Sequence, residues 1–342
     1  MTKHIIITGG AGFIGSSLVG LLVDKGYTPI VLDKLTYAGH PENLAYLPDG
    51  SYELVVGDIG DGPLVAGLLA KYQPEAIFHL AAESHVDNSI TGPKAFIETN
   101  IVGNFTLLGA ALECYQGLEG SAREAFRFIQ VSTDEVYGSL GATGHFTEGS
   151  QIQPNSPYSA TKAGGDHLAR AWFETYGLPV VTTHCSNNYG PRQFPEKLIP
   201  VMISKALAGE KLPVYGDGSN VRDWIFVDDH CLGIWLSFEK GVPGEVYNFG
   251  GRAELDNLTL VKQLCGLLDE LQPSPQDKKY EEQIAFVQDR LGHDQRYAID
   301  DSKAERELGF TRSVNFEQGL RQTVEWYLAN GDWCAQVTKK AA

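Results

Sequence analysis

The chain of 342 residues is 43% hydrophobic and 20% charged, an ordinary globular composition that allows a sizeable core and about two domains. Its net charge of -16 argues against a nucleic-acid or anionic-membrane surface, because such surfaces need clustered Lys and Arg. The five cysteines are dispersed and lack CxxC spacing, so we expect neither a disulfide framework nor a metal site, and a reducing cytoplasm. The sequence shows no leader pattern and no apolar stretch of bilayer-spanning length, which predicts a soluble, unexported protein.

Strand-like and helical patterns alternate through the first half of the chain. The strand-like runs are 4–8, 29–33, 52–57, 76–80, 126–132 and 180–185. The helical patterns are 12–25, 63–72, 95–115 and 157–176, and Gly-rich polar loops are predicted at 116–124 and 139–150. This alternation predicts βαβ units, and hence the α/β class with a Rossmann-type doubly wound parallel sheet.

A glycine-rich turn follows the first predicted strand. Gly9, Gly12 and Gly15 have the spacing GxxGxxG and lead into an apolar helix face. Such glycines permit a tight turn, and the helix N-terminus offers free N–H groups to a pyrophosphate, as in dinucleotide-binding proteins. Asp33 ends the next strand at the distance expected of a carboxylate that accepts hydrogen bonds from the adenosine ribose and disfavours a 2′-phosphate. We therefore predict NAD as the cofactor.

Two residues near this turn leave alternatives open. Lys34 stands next to Asp33, so NADP is kept as the second choice of cofactor. Asp58 follows the third strand and is interpreted either as a partner of the adenine amino group or as a helix cap in its Gly-Asp loop.

Beyond Tyr189 the pattern becomes irregular, with Pro-bounded and polar segments around short elements. We therefore predict an NAD-binding Rossmann domain over residues 1–188, to which residues 223–250 return. Residues 189–342 are expected to form mainly a smaller C-terminal substrate-binding lobe.

A tyrosine and a lysine share one face of the helix that begins after Ser156. Ser156 and Pro157 make a good helix start, as N-cap and first-turn residue. Tyr158 and Lys162 lie four residues apart, and an ammonium near a phenol lowers the pKa of the phenol. A phenolate at this position would deprotonate a sugar hydroxyl as hydride leaves. A lone YxxxK is a common helical coincidence, but here a dinucleotide turn stands upstream of it.

Two adjacent carboxylates close the fifth predicted strand. Ser132 and Thr133 lead into Asp134 and Glu135, where a strand of an α/β fold should end. Two close carboxyl groups do not both ionise easily, so one is expected to be a protonated acid and the other a charged base. An acid beside a base removes water from a sugar, which a simple dehydrogenase does not do. The alternative is a solvated acidic loop end.

The chain resembles the extended short-chain dehydrogenase/reductase superfamily over nearly its whole length, and within it the dTDP-glucose 4,6-dehydratases. The stretches that carry the resemblance are HLAAESHVD at 79–87, STDEVYG at 132–138, PYSATK at 157–162, NNYG at 187–190, FPEKLIP at 194–200, RDW at 222–224, and Asp289 with GHD at 292–294. The family commonly has Arg where this chain has Asn88, and an uncharged residue in place of Arg192, which puts some doubt on substrate affinity.

The resemblance implies a set of site residues. The implied catalytic residues are Thr133, Asp134, Glu135, Tyr158 and Lys162. The implied cofactor contacts are Gly9, Gly12, Phe13, Ile14, Gly15, Asp33, Lys34, Asp58, Ile59, Leu80, Ala81, Ala82, Thr99, Ser132, Tyr158, Lys162 and Asn188. The implied substrate contacts are Ser84, Thr133, Asp134, Glu135, Asn187, Lys197, Leu198, Pro213, Tyr215, Arg222, Asn257, Arg290 and His293.

The reaction implied by the resemblance is NAD-dependent dehydration of dTDP-glucose to dTDP-4-keto-6-deoxyglucose. Tyr158 takes the C4 hydroxyl proton while hydride passes to NAD, and Glu135 then removes the C5 proton that the ketone has acidified. Asp134 protonates the departing C6 hydroxyl, and hydride returns to C6. The resemblance also implies a homodimer formed by the helices at 95–115 and 157–176.

Several alternatives stay open from the sequence. A 4,6-dehydratase of a UDP- or GDP-sugar would share every feature except the contacts to the nucleotide base. A nucleotide-sugar 4-epimerase would not need Asp134 and Glu135 as acid and base. An NAD-sensing scaffold would need neither Tyr158 nor Lys162. Arg222 and Lys197 are the candidates for the substrate diphosphate, because Arg binds phosphate bidentately. Arg222 is otherwise an ion-pair partner of Asp223 or Asp228. His293 is otherwise a surface histidine, and Asn257 a helix cap. The pathway, rhamnose or another deoxysugar, is not readable.

Overall fold

The computed structural model describes residues 3–275, 278–289 and 292–341. The strands are β1 (His4–Thr8), β2 (Thr28–Asp33), β3 (Glu53–Val56), β4 (Ala76–His79), β5 (Arg127–Val131), β6 (Val180–Cys185), β7 (Asn187–Tyr189), β8 (Leu212–Tyr215), β9 (Val221–Phe226), β10 (Val246–Phe249), β11 (Glu254–Asp256) and β12 (Ile284–Val287).

The helices cover both faces of the main sheet and build most of the second lobe. They are α1 (Phe13–Asp24), α2 (Gly62–Tyr72), α3 (Val86–Thr91), α4 (Pro93–Ile97), α5 (Asn104–Gln116), α6 (Gly120–Ala125), α7 (Pro157–Tyr176), α8 (Leu198–Leu207), α9 (Val227–Lys240), α10 (Asn257–Leu271), α11 (Ser302–Leu308), α12 (Phe316–Ala329) and α13 (Gly331–Ala341). Short 3₁₀ turns occur at Pro41–Leu44, Asp134–Tyr137 and Tyr280–Gln283, and a π-helical segment at Glu98–Gly103.

The main sheet has seven strands in the order β10-β6-β5-β4-β1-β2-β3, and all neighbouring strands are parallel. This confirms the predicted α/β class and doubly wound sheet. The chain adds β2 and β3 on one side of β1 and then crosses to β4 on the other side. Ligands bind at such a switch point, outside the carboxyl ends of the strands.

The first strand shows why the sheet strands are continuously apolar. Ile5 and Ile7 are buried in a core with α1 and α9, whereas Ile6 is buried in the core on the opposite face with Ile30 and Leu32. Side chains of a strand alternate between the two faces of a sheet, and here helices cover both faces. The central strands are therefore buried on both faces and offer their ends to a ligand, whereas the edge strand β3 is partly exposed.

The predicted bounds agree closely with the elements of the first half, and β1, β6 and α7 have the predicted limits. One predicted loop is wrong in part, since residues 116–124 include most of α6. This helix forms because Arg123 donates to the carbonyl oxygens of Tyr115, Gln116 and Leu118 and lies over the Tyr115 ring. The contacts satisfy backbone groups at the end of α5.

The helix predicted at 95–115 is a composite of α4, the π-helical segment and α5. Together Pro93–Gln116 is long and apolar enough, by length and composition, to cross a bilayer, with a mean hydropathy of 1.3. A core helix of a soluble protein meets the same test, so the expectation of no membrane-spanning stretch stays a prediction. In this structure the composite helix packs on α2 and α7, and its π-helical segment turns the Asn100 side chain toward α7.

The chain returns to the main sheet after its first visit to the second lobe. β10 pairs with β6 at the sheet edge, and α9 packs on α1. β9 instead joins a three-stranded sheet in the order β11-β9-β7, and β8 pairs with β12. A separate apolar core lies among α8, α10 and α12 of the second lobe. The division into 1–188 and 189–342 stays a prediction.

Candidate active site

A tight glycine turn lies at the switch point between β1 and β4. Gly9 has a φ of 71°, in the region that favours glycine, and Gly12 is the N-cap of α1. A Cβ atom on Gly15 would lie 2.1 Å from the Gly9 carbonyl oxygen, so only glycine permits this approach of helix and turn. The free N–H groups at the start of α1 suit the anionic pyrophosphate of a dinucleotide.

Asp33 and Lys34 lie at the end of β2, on the edge of this turn. The Asp33 carboxylate accepts from the backbone N–H groups of Ala11 (2.9 Å) and Leu35 (2.8 Å), and burial raises its pKa. The Lys34 ammonium pairs with Asp58 at 2.7 Å. Because this carboxylate already neutralises Lys34, the arrangement favours a ribose hydroxyl over a 2′-phosphate, and hence NAD over NADP.

Asp58 is not the helix cap that one interpretation of the sequence offered. Its Oδ1 accepts from the Gly60 N–H at 2.8 Å within a turn, while Asp61 caps α2 by accepting from the Leu64 N–H at 3.0 Å. Asp58 lines the cavity described below, so its position is compatible with an adenine contact.

One cavity of about 320 Å³ joins the glycine turn to the end of β5. Every residue implied as a cofactor contact lines it, from Gly9 through Asn188. Of the implied substrate contacts it is lined by Ser84, Thr133, Asp134, Glu135, Asn187 and Lys197. The main sheet brings these residues together because the carboxyl ends of β1, β2, β4 and β5 meet at one edge.

Residues 132–137, here called the carboxylate turn, carry the acidic pair. The Thr133 hydroxyl accepts from the Glu135 N–H at 3.3 Å and fixes the 3₁₀ turn. Asp134 is only 2% exposed, so the solvated loop end is wrong for this residue. Burial, followed by the charges of Glu135 and Asp223, raises the pKa of Asp134 well above its usual range. Burial therefore favours the protonated form of Asp134, which is the form that a general acid needs.

Tyr158 and Lys162 lie on the first turns of α7, facing the carboxylate turn. Ser156 and Ser159 form a capping box, and Pro157 occupies the first turn, as predicted. The Lys162 ammonium donates to the Val131 carbonyl oxygen at 2.7 Å, and burial lowers its pKa. The pair therefore lies against the end of β5.

The pKa of Tyr158 differs in direction from the sequence prediction. Burial, together with the charge of Glu135, raises it well above its ordinary value rather than lowering it. The reason is that Tyr158 is 9% exposed and lies among carboxyl groups, whereas the sequence showed only its spacing to Lys162. Burial therefore opposes formation of the phenolate that the spacing of Tyr158 and Lys162 predicted.

Arg222 is a buried cation in the second lobe. Its guanidinium donates to the carbonyl oxygens of Val221 (2.8 Å) and Asp294 (2.9 Å) and lies over the Tyr297 ring at 4.4 Å. The alternative ion pair with Asp223 is wrong, because the Asp223 carboxylate accepts instead from backbone N–H groups of Gly251 and Ala253. The positive charge of Arg222 is compatible with a phosphate ligand.

The remaining predicted substrate contacts lie away from the main cavity. Leu198, Pro213, Tyr215, Arg222, Asn257 and His293 do not line it, and Arg290 lies outside the described residues. His293 is not a surface histidine: its side chain is 8% exposed, pairs with Asp289 at 2.7 Å and faces the Tyr215 ring. Asn257 is not a helix cap, since Asp256 caps α10 by accepting from the Thr259 N–H.

The two departures from the family pattern take local roles. Asn88 lies in α3, where its N–H donates to the His85 ring and its carbonyl oxygen accepts from the Gly92 N–H. Arg192 has a φ of 66° and lies over the Tyr46 ring at 4.2 Å, outside the cavity lining. The Arg192 guanidinium therefore interacts with Tyr46 and does not replace the arginine that the family commonly has at position 88.

The structure also brings together residues that sequence reasoning missed. Asn100 donates to the Thr161 hydroxyl at 3.0 Å and bonds the backbone of Glu83. Asp166 and His184 lie directly behind the carboxylate turn. Asp166 follows Lys162 by four residues, so extending the Tyr158 and Lys162 spacing by one turn would have found it. No signal in the sequence identified His184.

Comparison with known proteins decides between the families that share this fold. The family model for GDP-mannose 4,6 dehydratase matches residues 6–323. The dTDP-glucose 4,6-dehydratase of Xanthomonas campestris pv. campestris (strain B100) is 56% identical over 329 residues, which cover 96% of this chain and 94% of that protein. The chain belongs to the dTDP-glucose 4,6-dehydratase family. The resemblance drawn from the motifs is thereby confirmed.

Solved structures agree with this family. The dTDP-glucose 4,6-dehydratase DesIV from Streptomyces venezuelae, with NAD and TYD bound, has a TM-score of 0.89 and 47% identity, covering 98% of this chain and 100% of that one. A UDP-glucose 4-epimerase from Thermotoga maritima, with UDP-glucose, has a TM-score of 0.85 but 30% identity, covering 96% and 99%. The shared fold therefore does not separate dehydration from epimerisation.

Proposed function

We propose that the protein converts dTDP-glucose into dTDP-4-keto-6-deoxyglucose in an NAD-dependent dehydration without net redox change. The observation that carries this proposal is the buried Asp134, whose pKa burial raises, beside Glu135 in the cavity that also contains Tyr158 and Lys162. A 4-epimerase has no need of such a pair. The identity to named dTDP-glucose 4,6-dehydratases supports the dTDP-sugar over a UDP- or GDP-sugar.

The described residues fit NAD. The glycine turn leaves room for the pyrophosphate, the Asp33 carboxylate would accept from the adenosine ribose, and the Lys34–Asp58 pair disfavours an added phosphate. Ala81, Thr99 and Asn188 would line the remainder of the cofactor site, at the ends of neighbouring elements. When bound, NAD supplies a hydride acceptor with a cationic ring, and its reduced form later supplies the hydride for C6.

Tyr158 and Lys162 would carry out the oxidation half of the reaction. The Tyr158 phenolate, stabilised by the Lys162 ammonium, would accept the C4 hydroxyl proton and become a phenol, which releases that proton to solvent before the next turnover. Burial opposes ionisation of Tyr158, so positive charge near the phenol oxygen would be needed to stabilise the phenolate. The Thr133 hydroxyl, at the start of the carboxylate turn, would orient the same sugar hydroxyl.

The carboxylate turn would carry out the elimination. A C4 ketone acidifies the C5 proton, which the Glu135 carboxylate removes, while Asp134 donates its proton to the leaving C6 hydroxyl as water departs. Glu135 then returns its proton to C5, and Asp134 is reprotonated from solvent. The two neighbours differ in burial, since Asp134 is buried, which raises its pKa and favours its protonated form, whereas Glu135 is half-buried.

The second lobe would hold the nucleotide end of the substrate. We propose that Arg222 and Lys197 bind the diphosphate, with Ser84, Asn187 and Leu198 near the sugar side. Pro213, Tyr215, Asn257, Arg290 and His293 would bind the nucleoside. Lys197 now donates to the Ser84 carbonyl oxygen at 3.0 Å, a contact that a phosphate would replace.

We propose further that the protein forms a homodimer in a reducing cytoplasm. Ile97, Val102 and Phe105 are 48%, 53% and 53% exposed on the composite helix, and Tyr176 at the end of α7 is 53% exposed. Apolar side chains grouped on two neighbouring helices are typical of a protein interface. Sedimentation of Phe105→Glu should show monomers, whereas Val56→Glu, a matched change at an exposed apolar residue of β3, should leave the dimer intact.

The first experiment incubates purified protein, without added cofactor, with dTDP-glucose and with UDP-glucose separately, and follows product mass and free NADH. Loss of one water from dTDP-glucose without NADH release supports the proposal. An unchanged mass with conversion to a galactose isomer would support the epimerase instead. Turnover of UDP-glucose alone would keep the mechanism and overturn the nucleotide assignment.

A further inference from the structure

A buried hydrogen-bond network lies behind the carboxylate turn and outside the cavity. Asp166 Oδ2 on α7 accepts from the Ser132 hydroxyl at 2.7 Å and bonds His184 Nε2 at 3.1 Å. His184 Nδ1 on β6 lies 2.6 Å from the Tyr137 hydroxyl. The side chains of His184 and Asp166 are 4% and 11% exposed. Ser132 and Tyr137 are the two ends of the carboxylate turn, so the network holds both ends.

The donors and acceptors around Tyr137 decide where the hydrogens lie. Asn248 Nδ2 is directed at the carbonyl oxygens of Phe146 (3.4 Å) and Asp300 (3.3 Å), which places its Oδ1 toward Tyr137. The Tyr137 hydroxyl donates its single hydrogen to this Oδ1 at 2.9 Å. Its oxygen must therefore accept from His184 Nδ1. Burial raises the pKa of Tyr137, so the hydroxyl keeps its hydrogen.

Donation in the opposite direction, from the Tyr137 hydroxyl to His184 Nδ1, is unfavourable. If the Tyr137 hydroxyl donated to His184 Nδ1, no hydrogen would lie between the Tyr137 oxygen and Asn248 Oδ1. These two oxygens are 2.9 Å apart and would repel each other. Rotating the Asn248 amide would instead place its oxygen against two carbonyl oxygens. At the other ring nitrogen, Asp166 has only acceptor oxygens to offer once it is ionised, so Nε2 must also donate.

We propose that His184 carries a hydrogen on both ring nitrogens and forms a buried ion pair with the Asp166 carboxylate. This ion pair fixes the carboxylate turn relative to the helix face that carries Tyr158 and Lys162. Neither His184 nor Asp166 lines the cavity, so both are positioning residues. The proposal rests on the proposed function for its catalytic consequence, but not for the charge state.

The geometry explains why an ion pair at this point would help to position the acid and the base relative to α7. Tyr158, Lys162 and Asp166 follow one another at intervals of four residues on α7, so they share one face of the helix. The acid and the base lie on a different element, and general acid–base catalysis fails when a reacting group is misplaced by about 1 Å. A buried charge pair is costly unless hydrogen bonds support it. The turn supplies a partner to each side chain, Ser132 to Asp166 Oδ2 and Tyr137 to His184 Nδ1, while Asp166 Oδ1 is buried without a partner.

The charge state is tested by nitrogen NMR of the full-length protein labelled at histidine nitrogens, with His184→Gln used to assign the signal. We expect both His184 nitrogens to show protonated-type shifts with attached hydrogens across the neutral pH range. A single unprotonated nitrogen would overturn the proposal. This measurement needs neither substrate nor turnover, so its outcome is independent of the proposed function.

The positioning role is tested with Tyr137→Phe, which keeps the ring but removes the link between His184 and the carboxylate turn. The matched control is Tyr280→Phe, which removes a buried hydroxyl that donates to the Gln272 carbonyl oxygen at 2.8 Å in the second lobe. We expect kcat of Tyr137→Phe to fall about tenfold to a hundredfold with KM nearly unchanged, as for a lost hydrogen bond to a charged group.

Isotope effects separate positioning from a general loss of structure. With dTDP-glucose deuterated at C5, the isotope effect on kcat should rise in Tyr137→Phe, while deuterium at C4 should have no larger effect than in the native protein. An equal fall in Tyr280→Phe, or an unchanged C5 isotope effect, would overturn the positioning role. If the native protein does not turn over dTDP-glucose, the proposed function fails and the NMR result still decides the charge state.

Discussion

The cofactor half of the cavity and the substrate lobe are built in different ways. In the cofactor half, Gly9, Asp33 and Asp134 lie at or just beyond the carboxyl ends of strands of one parallel sheet, so that short motifs meet at a single edge. In the lobe, Arg222 and His293 come from distant segments, are held by backbone carbonyl groups or by a neighbouring carboxylate, and lie outside the main cavity. Changes in the first half should therefore alter kcat, and changes in the second should alter KM.

The largest expected effect is that of Glu135→Gln. Removal of the base should lower kcat about a hundredfold to ten-thousandfold with little change in KM, because general-base catalysis contributes on this scale. Steady-state kinetics with dTDP-glucose measure this, and exchange of the C5 hydrogen with deuterated water should stop. Glu53→Gln, an exposed carboxylate on β3, is the control. A KM effect larger than the kcat effect would break the comparison.

Asp134→Asn should lower kcat by about a hundredfold and yet stabilise the protein at neutral and alkaline pH. The pKa of Asp134 is raised, so the folded state holds a proton that the unfolded state has already released. The free energy of unfolding therefore falls as pH rises from the unfolded pKa toward the folded one, and Asn removes this loss. Thermal unfolding across pH tests it, and a variant less stable than the native protein at every pH would contradict the assigned charge state.

Arg222→Lys should raise KM for dTDP-glucose about tenfold to a hundredfold, with a smaller change in kcat. Lys keeps the charge but loses the planar donors that bind phosphate bidentately and the stacking on Tyr297. Arg170→Lys, at an exposed ion pair with Glu174, is the control. Thermal unfolding must be measured beside the kinetics, because Arg222 also holds the Asp294 carbonyl oxygen. A fall in kcat alone would place Arg222 with the catalytic residues instead.

The smallest expected effect is that of Lys34→Ala. Its ion pair with Asp58 is solvent-exposed, and such pairs contribute about 0–1 kcal/mol, so NAD affinity should change by less than about sixfold. Calorimetric titration with NAD and with NADP measures the two affinities. A gain in NADP affinity over the native protein would contradict the view that Asp33 sets the cofactor choice.

The sequence by itself determined the parallel sheet, the glycine turn and the position of the carboxylate pair. Each of these depends on neighbours in the chain: apolar runs that end at polar residues, glycines at fixed intervals, and a helix start at Ser156. Local patterns of this kind survive folding because the strand ends of a parallel sheet necessarily meet at one edge.

Only the tertiary structure decided the charge states and the supporting contacts. The spacing of Tyr158 to Lys162 predicted a lowered pKa for the phenol, whereas burial raises it, and burial depends on elements far away in the chain. The same holds for His184, whose partners Tyr137 and Asp166 come from a turn and a helix, while Asn248 at the sheet edge accepts from Tyr137. Desolvation and hydrogen-bond geometry are properties of packing, and no spacing along the chain encodes them.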